Sequence, residues 1–289
     1  MDSDVFVELE RFYDALPRPY ARAEEFGGLV LFVREGEGWP YYARPRPGAE
    51  TPSAADITGV RRRQRELGLP EAFEWVHETT PDLLAVARSA GLDVLLAPLL
   101  VLDPAALPPG PPVRDATLSL LDPGDPGYGS ALTVARAVAR LAFGQPPNQT
   151  PLEEATEALL VTQPAGPAER DAALAPVSDT LAEGYRRQAA AGTYHTAVVT
   201  APGEGMLATG ALMRSGGTAE IAGVATLPSA RGRGYASQLT AALARRALDD
   251  GVTLIFLSAG DDDVARLYTR VGFRRIGTAC IAEPAAAPL

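Results

Sequence analysis

Apolar residues fall at helical spacing over 129–142, where Leu132, Ala135, Val138, Ala139 and Ala142 form one stripe. Shorter apolar and alternating runs at about 195–200, 205–213 and 219–227 read as antiparallel strands, with turns at Pro202-Gly203 and Ser215-Gly216-Gly217. A strand is expected at 113–121 and a long helix at 168–191. Beyond them the pattern gives helix 235–248, strand 253–257, helix 262–271 and strand 274–283. An earlier stretch repeats that order with helix 54–67, strand 72–76, a helix within 81–92 and strand 93–102. Gly91 and Gly272 set the offset at 272 − 91 = 181, and the same shift aligns every one of these elements. Two copies of one α/β unit are the simplest account. The proline-rich run 104–112 reads as a linker between them, with further breaks at 144–151 and 163–167.

Composition narrows the class. The 46% hydrophobic and 21% charged residues of the 289-residue chain are those of a soluble globular protein. No window reaches the ~18 apolar residues of a membrane helix, and the acidic start Met-Asp-Ser-Asp lacks the basic region of a signal peptide. Cys280 is the only cysteine, and His77 and His195 stand apart from other ligating residues, so neither a disulfide nor a metal site is expected. A cytoplasmic protein fits these features. A formal net charge of −10 argues against nucleic acid and favours cationic small molecules such as amines. All 26 basic residues are arginine, which we read as a coding bias.

The stretch richest in chemistry is 224–236, Val-Ala-Thr-Leu-Pro-Ser-Ala-Arg-Gly-Arg-Gly-Tyr-Ala. A strand runs through a glycine loop into a helix, an order that presents free backbone N–H groups and a positive dipole end to an anion. Glycines 232 and 234 permit close approach of a phosphate, with Arg231 and Arg233 beside them. The loop is neither a Walker loop nor a dinucleotide fingerprint. It resembles the Arg/Gln-x-x-Gly-x-Gly/Ala signature of the GNAT superfamily of acyl-CoA N-acyltransferases. Residues 261–273 resemble that family's closing block, with Leu267, Tyr268, Gly272 and Phe273 at the matching places. The likeness covers 195–283 well and the rest loosely.

The resemblance implies an α/β fold with a mixed, largely antiparallel central sheet flanked by helices, here as two copies in tandem. Shifting Arg231–Ala236 back by 181 lands on Glu50-Thr51-Pro52-Ser53-Ala54-Ala55, and Tyr268 maps to Ala87. The first copy has thus lost both loop and acid. We expect a degenerate GNAT-like domain at 1–110 and a catalytic one at 111–289, with one acetyl-CoA site per chain. The resemblance places acetyl-CoA on Arg231, Gly232, Arg233, Gly234, Tyr235, Ala236 and Ser237, and its pantetheine arm along Val224, Ala225 and Thr226, with Gly223 allowing a bulge. It makes Tyr268 the general acid, since a phenol is protonated at neutral pH and can supply a departing thiolate. Asp261 stands where the family often has an asparagine.

Glu220 is the chosen base, because an alkylammonium must lose a proton before attack. On an unbroken strand it would share a face with Thr226. Tyr185, Tyr194, Glu154 and Asp179 are further candidates for the acceptor site. The reading is direct acetyl transfer to a primary amine of a small molecule, with no metal, nucleic acid or membrane partner and a homodimer left open. The alternative is a non-catalytic acyl-CoA-binding regulatory or partner-binding module.

Overall fold

The computed structural model describes residues 2–109, 115–144 and 164–285. Helix α1 (Asp2–Ala15) leads into a three-stranded sheet of β1 (Ala21–Phe26), β2 (Leu29–Arg34) and β3 (Arg44–Pro45). Then come α2 (Ala54–Glu66), β4 (Phe73–Val76), α3 (Leu83–Ser89) and β5 (Leu92–Leu102). The second half holds β6 (Thr117–Leu120), α4 (Tyr128–Phe143), α5 (Pro167–Ala172), α6 (Asp179–Ala190), β7 (Tyr194–Ala201), β8 (Gly205–Ser215) and β9 (Thr218–Thr226). It closes with α7 (Tyr235–Asp249), β10 (Leu254–Ser258), α8 (Asp262–Thr269) and β11 (Phe273–Pro284).

Eight strands form one sheet in the order β4-β11-β5-β10-β9-β8-β7-β6, antiparallel except where β9 and β10 run parallel. The mixed, largely antiparallel sheet expected from the sequence is therefore present, and the repeat explains its centre. β11 enters between β4 and β5, while β5 enters between β11 and β10. Each copy's last strand thus completes the sheet of the other. The register is symmetric about the same point: Ala97 faces Ala279 and Pro98 faces Thr278, pairs that the 181-residue shift interchanges. A bulge between Arg275 and Gly277 breaks this symmetry further along.

The sheet crosses the boundary placed at 110/111, since β4 and β5 of the first segment flank β11 of the second. Residues 110–114 lie outside the described residues, as do most of the break at 144–151 and all of 151–163. The described part of the 104–112 run is packed down. Asp103 N–H donates to the Gly272 carbonyl at 3.0 Å, and a Cβ on Gly272 would lie 2.8 Å from the Ala106 backbone.

Directly opposed residues share a sheet face. On one face α7 packs Leu239 and Leu243 into a core with Leu212 and Ile221. On the other, Tyr194, Met213, Glu220 and Phe256 stand in one cross-strand row. Here α1 sets the rings of Phe12 and Tyr13 edge-on to Phe256, at 5.1 and 5.4 Å between centroids. Glu74 shares this face through its row with Ile281 and Leu95. The expected helix 168–191 is two helices, interrupted at Pro176, with Ser178 capping the second through a 3.0 Å bond from Leu181 N–H.

Candidate active site

Two features of β9 open the sheet. Gly223, at φ +60°, sits in a bulge where the pairing to β8 jumps from Thr209–Ala225 to Ala211–Ala222. The parallel pairing to β10 ends at Glu220–Phe256, so β9 runs on to Thr226 with no β10 partner. Main-chain groups of Val224, Ala225 and Thr226 thereby border a cleft of about 1790 Å³ rather than a neighbouring strand. The bulge overturns the parity argument for Glu220. Its extra residue turns the strand over, so that Ala225, opposite Thr209, shares the face of Glu220 and Thr226 does not.

At the end of β9 the chain makes a short turn over Pro228–Ala230 and reaches the glycine loop. Gly232 and Gly234 both lie at φ +81°, the left-handed region that L side chains avoid. Gly234 is the N-cap of α7 and provides no side-chain cap. The first-turn amides of a helix have no intrahelical acceptor, and Gly234, Tyr235, Ala236 and Ser237 all line the cleft. Arg231 lines it too, tied to the end of α4 by a 2.8 Å bond to the Ala142 carbonyl. Arg233 turns aside and forms a two-pronged ion pair with Glu204 at 2.8 and 3.2 Å. The acidic partner neutralises its charge.

The matching helix start in the first copy is closed. Ser53 caps α2, and the Asp56 carboxylate accepts from Ser53 N–H at 2.8 Å and from Gly28 N–H at 3.3 Å. The Ser53 hydroxyl accepts from the first-turn N–H of Asp56, and the Asp56 carboxylate, held below the usual range by its bonds to Ser53 and Gly28, sets a negative charge at the helix start where an anion would sit.

Tyr268 projects from α8 into the cleft at 7% exposure, with its ring edge-on to Phe273. Burial pushes its phenol up to about 12, so it holds its proton throughout the neutral range. Asp261 caps α8 by accepting from Val264 N–H at 2.8 Å, a helix-start role.

Glu220 lines the cleft at 8% exposure. Burial chiefly, and then the like charge of Glu74, push it up to about 8 against the opposing pull of Arg44. A carboxylate poised there ionises near neutrality, as a base for an amine requires. Three of its neighbours come from the first half: Tyr13 on α1, Arg44 on β3 and Glu74 on β4. Arg44 and Glu74 form a buried ion pair, and the guanidinium lies 3.7 Å over the Tyr13 ring. Sequence reasoning missed all three, because nothing local links them to Glu220. Tyr185 and Tyr194 do line the cleft, with ring centroids 4.8 Å apart. Asp179 borders a separate small surface hollow, and Glu154 lies outside the described residues.

These features fit acetyl-CoA: an uncapped helix start for the diphosphate, an unpaired reach of strand for the pantetheine amides, and a protonated phenol in the same cleft. Among the described residues no group of three or more His, Cys, Asp or Glu is arranged to hold a metal ion, and no helix is long and apolar enough to cross a membrane.

Residues 175–273 match the family model described as the acetyltransferase (GNAT) family. Solved structures agree on the fold. A GCN5-related N-acetyltransferase from Kribbella flavida superposes with a TM-score of 0.63 at 20% identity, over 96% of this chain and 95% of that one. A GCN5-related N-acetyltransferase-like protein from Streptococcus suis 89/1591 gives 0.53 at 12% identity over 98% and 99%. A putative acetyltransferase of the GNAT family from Novosphingobium aromaticivorans DSM 12444 gives 0.50 at 19% over 93% of each chain. No curated protein matches the chain. Residues 175–273 thus match the GNAT family model, and the chain as a whole has the fold of these GNAT-like structures.

Proposed function

We propose that this protein is an acetyl-CoA-dependent N-acetyltransferase that moves an acetyl group directly to the primary amine of a small molecule. Residues 111–289 carry the transfer. Residues 1–110 form a copy that binds no acetyl-CoA and instead lends side chains to the acceptor end. The observation that carries this reading is that the uncapped start of α7, the unpaired end of β9, Tyr268 and Glu220 all open onto one cleft.

Acetyl-CoA supplies the activated thioester. Amides of Gly234 to Ser237 hold the diphosphate, helped by the dipole of α7 and by Arg231, whereas Arg233 is committed to Glu204. Free main-chain groups at Val224 and Ala225 bond the pantetheine arm and steady the negative charge that grows on the thioester oxygen. One such donor is typically worth about 3 kcal/mol. Glu220 takes one proton from the ammonium, and the freed amine nitrogen bonds the acetyl carbon. The carbon–sulfur bond breaks as Tyr268 gives its proton to the departing sulfur, and the nitrogen's remaining extra proton restores the phenol.

The test is release of free thiol from acetyl-CoA, followed across a panel of primary amines, with mass spectrometry of the acceptor. Amine-dependent thiol release with a gain of one acetyl group supports the reading. Tight acetyl-CoA binding without transfer to any amine would favour the non-catalytic alternative.

A further inference from the structure

The cleft has a second end whose chemistry the transfer reaction does not explain. Glu220 lies six residues before Thr226 along β9, roughly 20 Å of extended strand, so the surroundings of Glu220 are remote from the glycine loop. Around this end the chain gathers aromatic rings. Phe12, Phe73, Phe256 and Phe273 are buried in the cores, whereas Tyr13, Tyr20, Tyr41, Tyr42, Tyr185 and Tyr194 line the cleft besides Tyr235 and Tyr268 of the cofactor end. Tyr20 and Tyr185 lie beside Tyr41, and Tyr185 stacks obliquely on Tyr194. Trp39 stands over the mouth at 55% exposure. Tyr20, Trp39 and Tyr41 of this aromatic wall come from the first half, and Tyr185 and Tyr194 from α6 and β7.

Charge at the same end is the reverse of the whole chain. The net charge is −10, yet the cleft as a whole is lined by seven arginines and only two carboxylates, Glu74 and Glu220, with Arg34, Arg44 and Arg136 next to the residues of this end. Glu74 is taken by Arg44. Arg34 stacks on Tyr41 at 4.4 Å, and Arg136 of α4 stands beside Tyr194 with no acidic partner among the described residues. One carboxylate is left to meet one ammonium, and any further positive charge on the acceptor would face arginines.

We propose that the acceptor is a monoamine carried on a planar aromatic body, its amine at Glu220 and its ring among Tyr41, Tyr185, Tyr194 and Trp39. Polyamines and aminoglycosides are rejected. This deepens the transfer reading and rests on it. Aromatic faces offer a flat ring both stacking and edge contacts, and phenol hydroxyls at the rim serve its polar substituents.

The experiment compares 2-phenylethylamine and tyramine with spermidine and kanamycin. It measures thiol release from acetyl-CoA and, separately, calorimetric binding of each amine with CoA present. The wild type is expected to favour the aryl amines at least about tenfold in kcat/KM. Tyr185→Ala and Tyr41→Ala, both at half-buried positions, are expected to lower that preference severalfold through KM, with acetyl-CoA affinity unchanged. Equal or better turnover of spermidine or kanamycin overturns the proposal, as does an aromatic preference that survives both substitutions. If no amine releases thiol, the transfer reading fails and binding decides this one. Tighter binding of the aryl amines, weakened in the tyrosine variants, upholds it, and any other binding order overturns it.

Discussion

Ser53 and Gly234 stand at the same place in the two copies, 181 residues apart, each the N-cap of its helix. Ser53 belongs to a capping box in which its hydroxyl accepts from Asp56 N–H and the Asp56 carboxylate accepts from Ser53 N–H, whereas Gly234 gives no side-chain cap to a helix start that lines the cleft. The two helix starts therefore differ in charge: the Asp56 carboxylate beside Ser53 repels an approaching phosphate, and no carboxylate caps the helix start at Gly234.

Gly234→Asp is expected to abolish acetyl-CoA binding. The residue sits at φ +81°, where a side chain costs on the order of 1 kcal/mol, and the new carboxylate would oppose the diphosphate. Calorimetry should find one site per wild-type chain and none in the variant, with circular dichroism showing the fold retained. A stoichiometry of two would contradict the closed first copy, and undiminished affinity would remove the loop from the site.

Tyr268→Phe should lower kcat by about 10²–10⁴-fold, the usual contribution of a positioned acid, and leave the dissociation constant of acetyl-CoA close to that of the wild type. The ring's packing on Phe273 survives the change, so only the proton donor is lost. An unchanged kcat would strip the phenol of that role.

Glu220→Gln should remove the acidic limb of the kcat/KM profile, which in the wild type is expected near pH 8, where the buried carboxyl ionises. Stability follows with a definite sign. The folded carboxyl holds its proton to about 8 against 4.5 for an ordinary glutamate, so its contribution is full below 4.5 and is lost as pH rises towards 8. Thermal melts should therefore show the wild type losing stability from pH 5 to 9 more steeply than Glu220→Gln. Parallel curves would mean that Glu220 ionises normally.

The sequence made the chemistry of the second half legible because its signals are local. Glycines at 232 and 234, the proline turn at 228 and the alanine-rich run after them are contiguous, and Gly223 marked the bulge. The offset of 181 exposed the repeat, since matching segments carry matching patterns. Pro176 and the cap residue Ser178 are likewise local signals, ending one helix and starting the next. The acceptor end is a different matter. Tyr13, Arg44 and Glu74 come from three elements of the first half, a helix and one strand from each of the two sheets, and meet Glu220 only in the folded chain. No spacing rule relates residue 13 to residue 220. Arg233 was misleading for a related reason: its partner Glu204 lies 29 positions away, at the turn between β7 and β8.

The exchange of β5 and β11 has a consequence for synthesis of the chain. As residues emerge from the ribosome, β4 and β5 appear with bare edges, and the strand that belongs between them does not begin until Phe273, long after β5 ends at Leu102. Bare edges invite pairing with other chains. The sheet of the first half therefore closes only after β11 has been made, long after its own strands.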